Sequence, residues 1–501
     1  MRAWTASAVA LSLLIVGGCT VPDVDVEATR SRQNDDGNLI IDNNNPDDTT
    51  VDTTVDTTPI PVQDGIIDFG ANKEPRDYDG YLTAAFSDIE AFWEEQFPAV
   101  YGGAFTPLAG GIYAAYPDRT EPIPGCGTPQ TAYDEVAGNA FYCLDGDFMA
   151  YDDAELLPQL VDQLGQSAVA VVLAHEFGHA VQFRADEFGQ PTILKEQQAD
   201  CFAGAWAAHV ARGESDVITF NDDDISGGLV AMIQVRDPIE FGGTIDANSH
   251  GTGFDRVGAF QDGFLGGAER CTTFFTEGRE NQLINVPFDA RDPIGNLPLI
   301  DANPDAETGP ADVVTLLPQD LARFWTAQLA ASNLTLTAPT LTLFAADGDL
   351  PTCDGIESAQ FEKNIVYCAA SNTIFVDQGW AEGLIADPLL GDMSVGYLIS
   401  QGYSENVQAM LGSTLAGEPR ALLDDCLTGA WIRDDLPPTP QEEDRQLSLS
   451  AGDLDEAIVT TIVRSDPTSD TNLEGSAFEK IDAFRAGVLG GMQSCQDRIT
   501  P

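Results

Sequence analysis

The chain has 501 residues, a formal net charge of −58 and 43% hydrophobic residues. The length suits about two to three domains with real cores. The charge disfavours nucleic acid and anionic membrane surfaces as partners.

Arg2 is followed by an apolar run, Ala8 to Val16, and then by Val16-Gly17-Gly18-Cys19. Residues 1–18 have the form of a signal peptide and are too short to span a membrane as a mature helix. The small residues before Cys19 are those of a bacterial lipobox. The expectation is cleavage before Cys19, lipidation of its sulfur, and export to the cell envelope. The protein would then sit at the outer face of a bacterial membrane and touch it only through the lipid. A plain secretory signal with a chance cysteine is the alternative. Either route leads to an oxidising compartment, where the eight remaining cysteines can all pair. Residues 19–75 read as a disordered acidic tether, with Asp42-Asn43-Asn44-Asn45-Pro46-Asp47-Asp48 and the tetrads Val51-Asp52-Thr53-Thr54 and Val55-Asp56-Thr57-Thr58.

Residues 76–280 carry the chemistry. Phe105 to Tyr116 and Phe148 to Tyr151 read as strands. The apolar run Ala168 to Ala174 predicts a helix that continues through His175-Glu176-Phe177-Gly178-His179. This is H-E-x-x-H. Residues four apart on a helix share a face, so both imidazoles can address one zinc ion, with Glu176 beside it as a base for a bound water. Two of the four histidines of the chain form this motif. Downstream, Glu196-Gln197-Gln198-Ala199-Asp200 lies between apolar flanks that suggest a second helix. Glu196 supplies a third ligand, and Asp200, on the same face, accepts the other ring N–H of a ligand histidine. An ordinary solvated helix face is the competing reading of these two acids. His250, in Ser249-His250-Gly251-Thr252, is a candidate donor to the oxyanion of a tetrahedral intermediate. It can equally be a helix cap or a support for a ligand. His209 reads as a plain helix residue, and Arg256 stands out little.

A second linker, rich in Pro, Asp and Asn, covers residues 281–310, and residues 311–501 repeat the motifs of the first half. Asp88-Ile89-Glu90-Ala91-Phe92-Trp93 returns as Asp320-Leu321-Ala322-Arg323-Phe324-Trp325. Asp200-Cys201-Phe202-Ala203-Gly204-Ala205-Trp206 returns as Asp425-Cys426-Leu427-Thr428-Gly429-Ala430-Trp431. The order and spacing predict an internal duplication. The simplest pairing that it allows is Cys126–Cys143, Cys201–Cys271, Cys353–Cys368 and Cys426–Cys495, although sequence alone permits other connectivities. The second copy is degenerate. Gln401, Gly402 and Glu405 stand opposite His175, Glu176 and His179, Ala421 stands opposite Glu196, and Glu474 opposite His250. Cys426 survives there without the metal residues, so Cys201 reads as a disulfide cysteine rather than a ligand. Asp425 survives as well, which assigns Asp200 structural work beyond orienting a histidine.

Together Cys126-Gly127-Thr128, Phe141-Tyr142-Cys143, His175 through Gln182, Glu196 through Trp206 and His250-Gly251-Thr252 resemble the bacterial neutral zinc metallopeptidases of the YpfJ type. The resemblance covers about residues 77–275. It implies an exported or membrane-associated zinc peptidase with a helical, zincin-like core. It implies one zinc ion on His175, His179 and Glu196, with Glu176 as base. The chain departs from that family in its lipobox and acidic tether, which replace a transmembrane anchor, and in its second copy. The expected fold is therefore α+β, helix-dominated, zincin-like and duplicated. The expected activity is hydrolysis of peptide bonds in a protein or peptide substrate. Two other functions remain open: a zinc-containing binding or scaffold lipoprotein, and a zinc amidase acting on cell-wall material. A purely structural zinc site would not need Glu176.

Overall fold

The structure is a computed structural model. It describes residues 65–499 apart from 235–250, 277, 280–282, 285–295, 306–309, 331, 347, 388, 437–446, 448, 450 and 464–476. In chain order the first half forms β1 (Ile67–Asp68), α1 (Asp79–Val100), β2 (Gly111–Ala115), β3 (Ile123–Pro124), β4 (Gln130–Thr131), β5 (Ala140–Cys143) and β6 (Phe148–Asp152). It continues with α2 (Leu156–Leu164), α3 (Gln166–Arg184), α4 (Thr192–Ala211), α5 (Asp222–Gln234) and α6 (Gly253–Cys271). The second half forms α7 (Val313–Ala330), β7 (Thr340–Phe344), β8 (Ile365–Cys368), β9 (Thr373–Asp377) and α8 (Gln378–Ala386). After these come α9 (Gly391–Met410), α10 (Glu418–Asp435), α11 (Ala451–Val463), α12 (Ala477–Gly490) and α13 (Met492–Ile499). The class is α+β, with helices dominant.

The front sheet runs β1-β2-β6-β5, with β2 parallel to β1 and β6, and β5 antiparallel to β6. The back sheet runs β7-β9-β8 with the same senses. In both, the strand ending in a disulfide cysteine lies on the edge. The first expected strand is shorter than its apolar composition suggests. Pro107 has no N–H to give a ladder. The N–H groups of Ala109 and Gly110 turn instead to Asp147 Oδ2 and O, each at 2.9 Å. Only Gly111–Ala115 pairs.

Helix α3 is buried at every position from Ser167 to His175. An apolar run with no polar face makes a core helix rather than a surface one. It packs against α1, α2, α4 and α5. Gly178, inside the motif, permits the α3–α4 approach, because a Cβ there would lie 3.0 Å from Ala199 Cα. The α4–α6 crossing is tighter still. A Cβ on Gly204 would lie 2.0 Å from Phe260 O, and one on Gly263 would lie 1.8 Å from Cys201 O. The back half repeats this between α10 and α12, with 2.1 Å for Gly429 to Phe484 O and 2.0 Å for Gly487 to Cys426 O. The disulfides join Cys126 to Cys143, Cys201 to Cys271, Cys353 to Cys368 and Cys426 to Cys495. Each half also buries one tryptophan on an aspartate of its first helix. Trp206 Nε1 donates to Asp88 Oδ2 and Trp431 Nε1 to Asp320 Oδ2, both at 2.8 Å.

The halves share one hydrophobic core. Helices α5 and α6 pack on α11 and α12. The Phe254 N–H donates to Asp455 Oδ1 at 2.9 Å, and Arg485 donates to Gln261 Oε1 at 2.9 Å. The rings of Phe264 and Phe478 lie 4.6 Å apart. The end of the expected linker also rests on the back half: the Leu297 N–H donates to Asp392 Oδ2 at 2.7 Å, and Leu299 is buried. Among the described residues no helix is long and apolar enough to cross a membrane.

Candidate metal centre

Helices α3 and α4 bring three ligand atoms to one point. His175 Nε2 lies 3.3 Å and His179 Nε2 3.2 Å from Glu196 Oε2. All three atoms lie within 4.8 Å of one another. The two histidines are there because 3.6 residues per turn stacks i and i+4. Glu196 is there because Gly178 lets α4 close on α3.

The second nitrogen of each ring is held on the far side. His175 Nδ1 lies 2.7 Å from Asp200 Oδ1, and His179 Nδ1 lies 3.0 Å from Gln182 Oε1. With Nδ1 of each ring turned to these neighbours, both Nε2 atoms face Glu196, the orientation that metal-binding histidines need. Gln182 is itself fixed, its Nε2 donating to Lys195 O at 2.6 Å. Asp200 is fully buried and doubly gripped by Arg256, whose Nε reaches Oδ2 at 3.0 Å and whose terminal amine reaches Oδ1 at 2.8 Å.

Charge follows this geometry. Burial works against a protonated His175, yet the carboxylates of Asp200 and Glu196 outweigh it and raise its pKa to about 10. His179 is raised for the same reasons, with burial opposing and Glu196 prevailing. Burial pushes Asp200 up, but Arg256 and His175 more than offset this and hold its carboxyl below the usual range. A buried point that retains a proton so firmly favours a positive charge there. Two imidazoles and one carboxylate are also the donor set that suits zinc. The residues fit such an ion.

Glu176 is half-buried beside this point, with Oε1 4.0 Å from His175 Nε2. Its Oε2 accepts the Tyr142 N–H at 3.2 Å. That N–H belongs to the free edge of β5, so the edge strand runs past the carboxylate. Phe188 stands beside both His179 and Tyr142, with ring centroids 6.3 Å from each.

Five residues singled out in the sequence thus come together: His175, Glu176, His179, Glu196 and Asp200. His250, its aligned Glu474 and Cys19 lie outside the described residues. His209 is not part of the group; its Nδ1 is 3.3 Å from Glu214 and its ring packs on Phe92. Three contributors were missed. Arg256 carries a signal in the basic residue, Lys480, that recurs at its place in the back half. Gln182 lies one helical turn beyond His179. Tyr142 contributes only its main chain, which leaves no side-chain signature.

At the aligned place in the back half, α9 and α10 are joined differently. Tyr397 OH and Gln401 Nε2 donate to Asp425 Oδ1, the latter at 2.9 Å, and Glu405 pairs with Arg420. Gln408 Nε2 donates to Arg420 O at 3.2 Å, as Gln182 does to Lys195.

The front half thus carries a two-helix centre of three potential metal ligands with a carboxylate at its side. Residues 54–274 match the family described as "Putative neutral zinc metallopeptidase", so the resemblance read from the motifs holds for the front half. An uncharacterized protein of Mycobacterium tuberculosis is 35% identical over 176 residues, which cover 30% of this chain and 58% of that protein. The uncharacterized protein YpfJ of Escherichia coli is 29% identical over 171 residues, which cover 30% of this chain and 57% of YpfJ. The chain therefore spans less than two thirds of the length of these relatives. No solved structure matches it.

Proposed function

We propose that the front half, residues 76–280, is a zinc peptidase that hydrolyses peptide bonds in exported surroundings. The observation that carries this is the convergence of His175 Nε2, His179 Nε2 and Glu196 Oε2, with both remaining ring nitrogens held outward. These three residues would hold one zinc ion. When bound, the ion supplies Lewis-acid chemistry, polarising a substrate carbonyl and raising the acidity of water.

The chain's own groups do the rest. The Tyr142 N–H holds Glu176 Oε2, which leaves Oε1 to take the proton of the attacking water and return it to the leaving amine. Asp200, backed by Arg256, keeps the His175 proton on Nδ1. Gln182 does the same for His179. The edge of β5 offers an extended substrate a strand to pair with as it crosses the site. For His250 the oxyanion donor role is proposed from its sequence context alone, Ser249-His250-Gly251-Thr252.

We read the halves as two copies of one zincin-like fold. The matching sheet senses, disulfides, tryptophan–aspartate bonds and glycine crossings support that reading. Residues 311–501 would be the copy without hydrolytic chemistry. The segments before them complete the picture: a signal peptide over 1–18, lipidation at Cys19, a tether over 19–75 and a linker over 281–310. The protein would act at the outer face of a bacterial membrane, held only by lipid, on protein or peptide substrates and not on nucleic acid.

The test is zinc content and casein hydrolysis by the exported chain and its Glu176→Gln variant. The variant should keep one zinc per chain and lose activity by about 10²-fold or more. Full turnover in Glu176→Gln would refute the role given to this carboxylate.

A further inference from the structure

The back half has a cavity of about 490 Å³ where the front half has its metal centre. The volume falls within the range of about 300–1,000 Å³ usual for ligand pockets. The cavity lies between the edge strand β8 and residues Gln401, Gly402 and Glu405 of α9, with Arg420 and Lys480 completing the wall. Three of these five positions correspond to His175, Glu176 and His179.

The edge of β8 presents a donor to this space. In an antiparallel pair, residues on one strand alternate between pointing N–H and C=O at the partner and away from it. In the front half the Tyr142 N–H points away from β6, since it bonds Glu176. Tyr142 faces Met149 in the register, and Tyr367 faces Ile374 in the same relation. The Ile365 N–H, two residues earlier, also turns away from β9, because it bonds Asn364 Oδ1 at 2.9 Å. The Tyr367 N–H therefore turns away from β9, and Tyr367 lines the cavity.

What differs is the helix opposite. Glu176 occupies the strand donor in the front half, whereas Gly402 stands in its place behind. A Cβ on Gly402 would already lie 2.8 Å from Ile374 Cδ1 and 3.4 Å from Tyr367 Cβ. No side chain from this position can cover the strand edge. The change that removed the base also opened a main-chain donor.

We propose that this cleft binds an extended peptide segment without cleaving it. The peptide adds itself to β8, its carbonyl accepting the Tyr367 N–H, while its side chains enter the cavity walled by Gln401, Glu405 and Arg420. Strand addition is how an edge donor recognises a main chain regardless of sequence. The back half would then hold a second stretch of the polymer whose scissile bond lies in the front half. The choice of peptide as ligand rests on the peptidase reading of that half.

The experiment uses the full chain carrying Glu176→Gln, so that nothing is hydrolysed, and the tryptic peptides of casein as probe. Hydrogen–deuterium exchange of residues 364–370 reports occupancy, and a peptide titration gives an apparent affinity. Peptide should protect this segment. Tyr367→Ala removes the ring but keeps the N–H, and Tyr367→Pro removes the N–H as well. An edge strand tolerates proline where its N–H faces away from the neighbour. The proline variant should bind about five- to tenfold more weakly than the alanine variant. If the proline chain melts early, exchange resolved at the residue 367 amide of the alanine variant decides instead: bound peptide should slow that amide about five- to tenfold, and no slowing there overturns the cleft. No protection at 364–370, or equal affinity for the alanine variant and a folded proline variant, overturns the cleft. Casein hydrolysis by the wild type is scored separately. Its absence would sink the peptidase reading, while exchange in the inactive chain would still decide the cleft.

Discussion

Helices α3 and α4 in front and α9 and α10 behind are two similar pairs of struts, fastened in two ways. In front, His175, His179 and Glu196 converge on one point and Asp200 secures His175 from behind. Behind, Tyr397 and Gln401 converge on Asp425, and Glu405 bonds Arg420. The comparison separates frame from chemistry within a single chain. Gln182 and Gln408 both bond the main-chain oxygen at the start of the next helix, so that bond belongs to the frame. The contact of Gln182 with His179 uses a residue already fixed there. Asp200 and Asp425 are both buried hubs; only the partners of the hub changed.

The largest effect should come from the ligands. Glu196→Ala is expected to reduce zinc from one ion per chain to a trace, and activity with it. Gln401→Ala, at the aligned place of His175, should leave zinc content untouched. Metal analysis of both variants breaks the comparison if they behave alike. Next in size is the hub. Asp200→Asn should weaken zinc binding by about 10- to 100-fold, because the His175 ring loses its anchor. Asp425→Asn should leave zinc affinity unchanged, a contrast that competition against a chelator would measure.

The disulfides should behave alike in the two halves. Removing Cys201–Cys271 or Cys426–Cys495 by paired alanines is expected to cost about 2–5 kcal/mol each, read as chemical denaturation midpoints. A large loss for one pair and none for the other would mean the frames are not equivalent. The smallest effect should follow from Glu405→Gln. Its pair with Arg420 is partly exposed, so the loss should stay within about 1 kcal/mol. A collapse of folding would show that this pair had taken over the whole fastening role of the front ligands.

Much of the site was legible because its information is local. H-E-x-x-H states its own geometry through the helical repeat, and Glu196 with Asp200 does the same one helix later. The cysteine pairing was legible because the motifs repeated between the halves constrain each other. Arg256 carries no local signal, since its contact with Asp200 spans 56 residues and depends on how closely α4 and α6 cross. Tyr142 was invisible because a main-chain N–H is donated by nearly every residue type. The first strand is shorter than its composition predicts because Asp147, far along the chain, decides where Ala109 and Gly110 turn.

The crossing at Gly204 and Gly263 fixes more than helix spacing. Where main chain rests on main chain, no rotamer can absorb an error, so α4 and α6 have one permitted separation. Arg256 and Asp200 sit on opposite sides of that contact and inherit its accuracy. The imidazole of His175 is thus aimed by a rigid spacer rather than by a flexible shell. Even one methyl group on either glycine should misaim the ring at a distance, with no residue of the centre itself replaced.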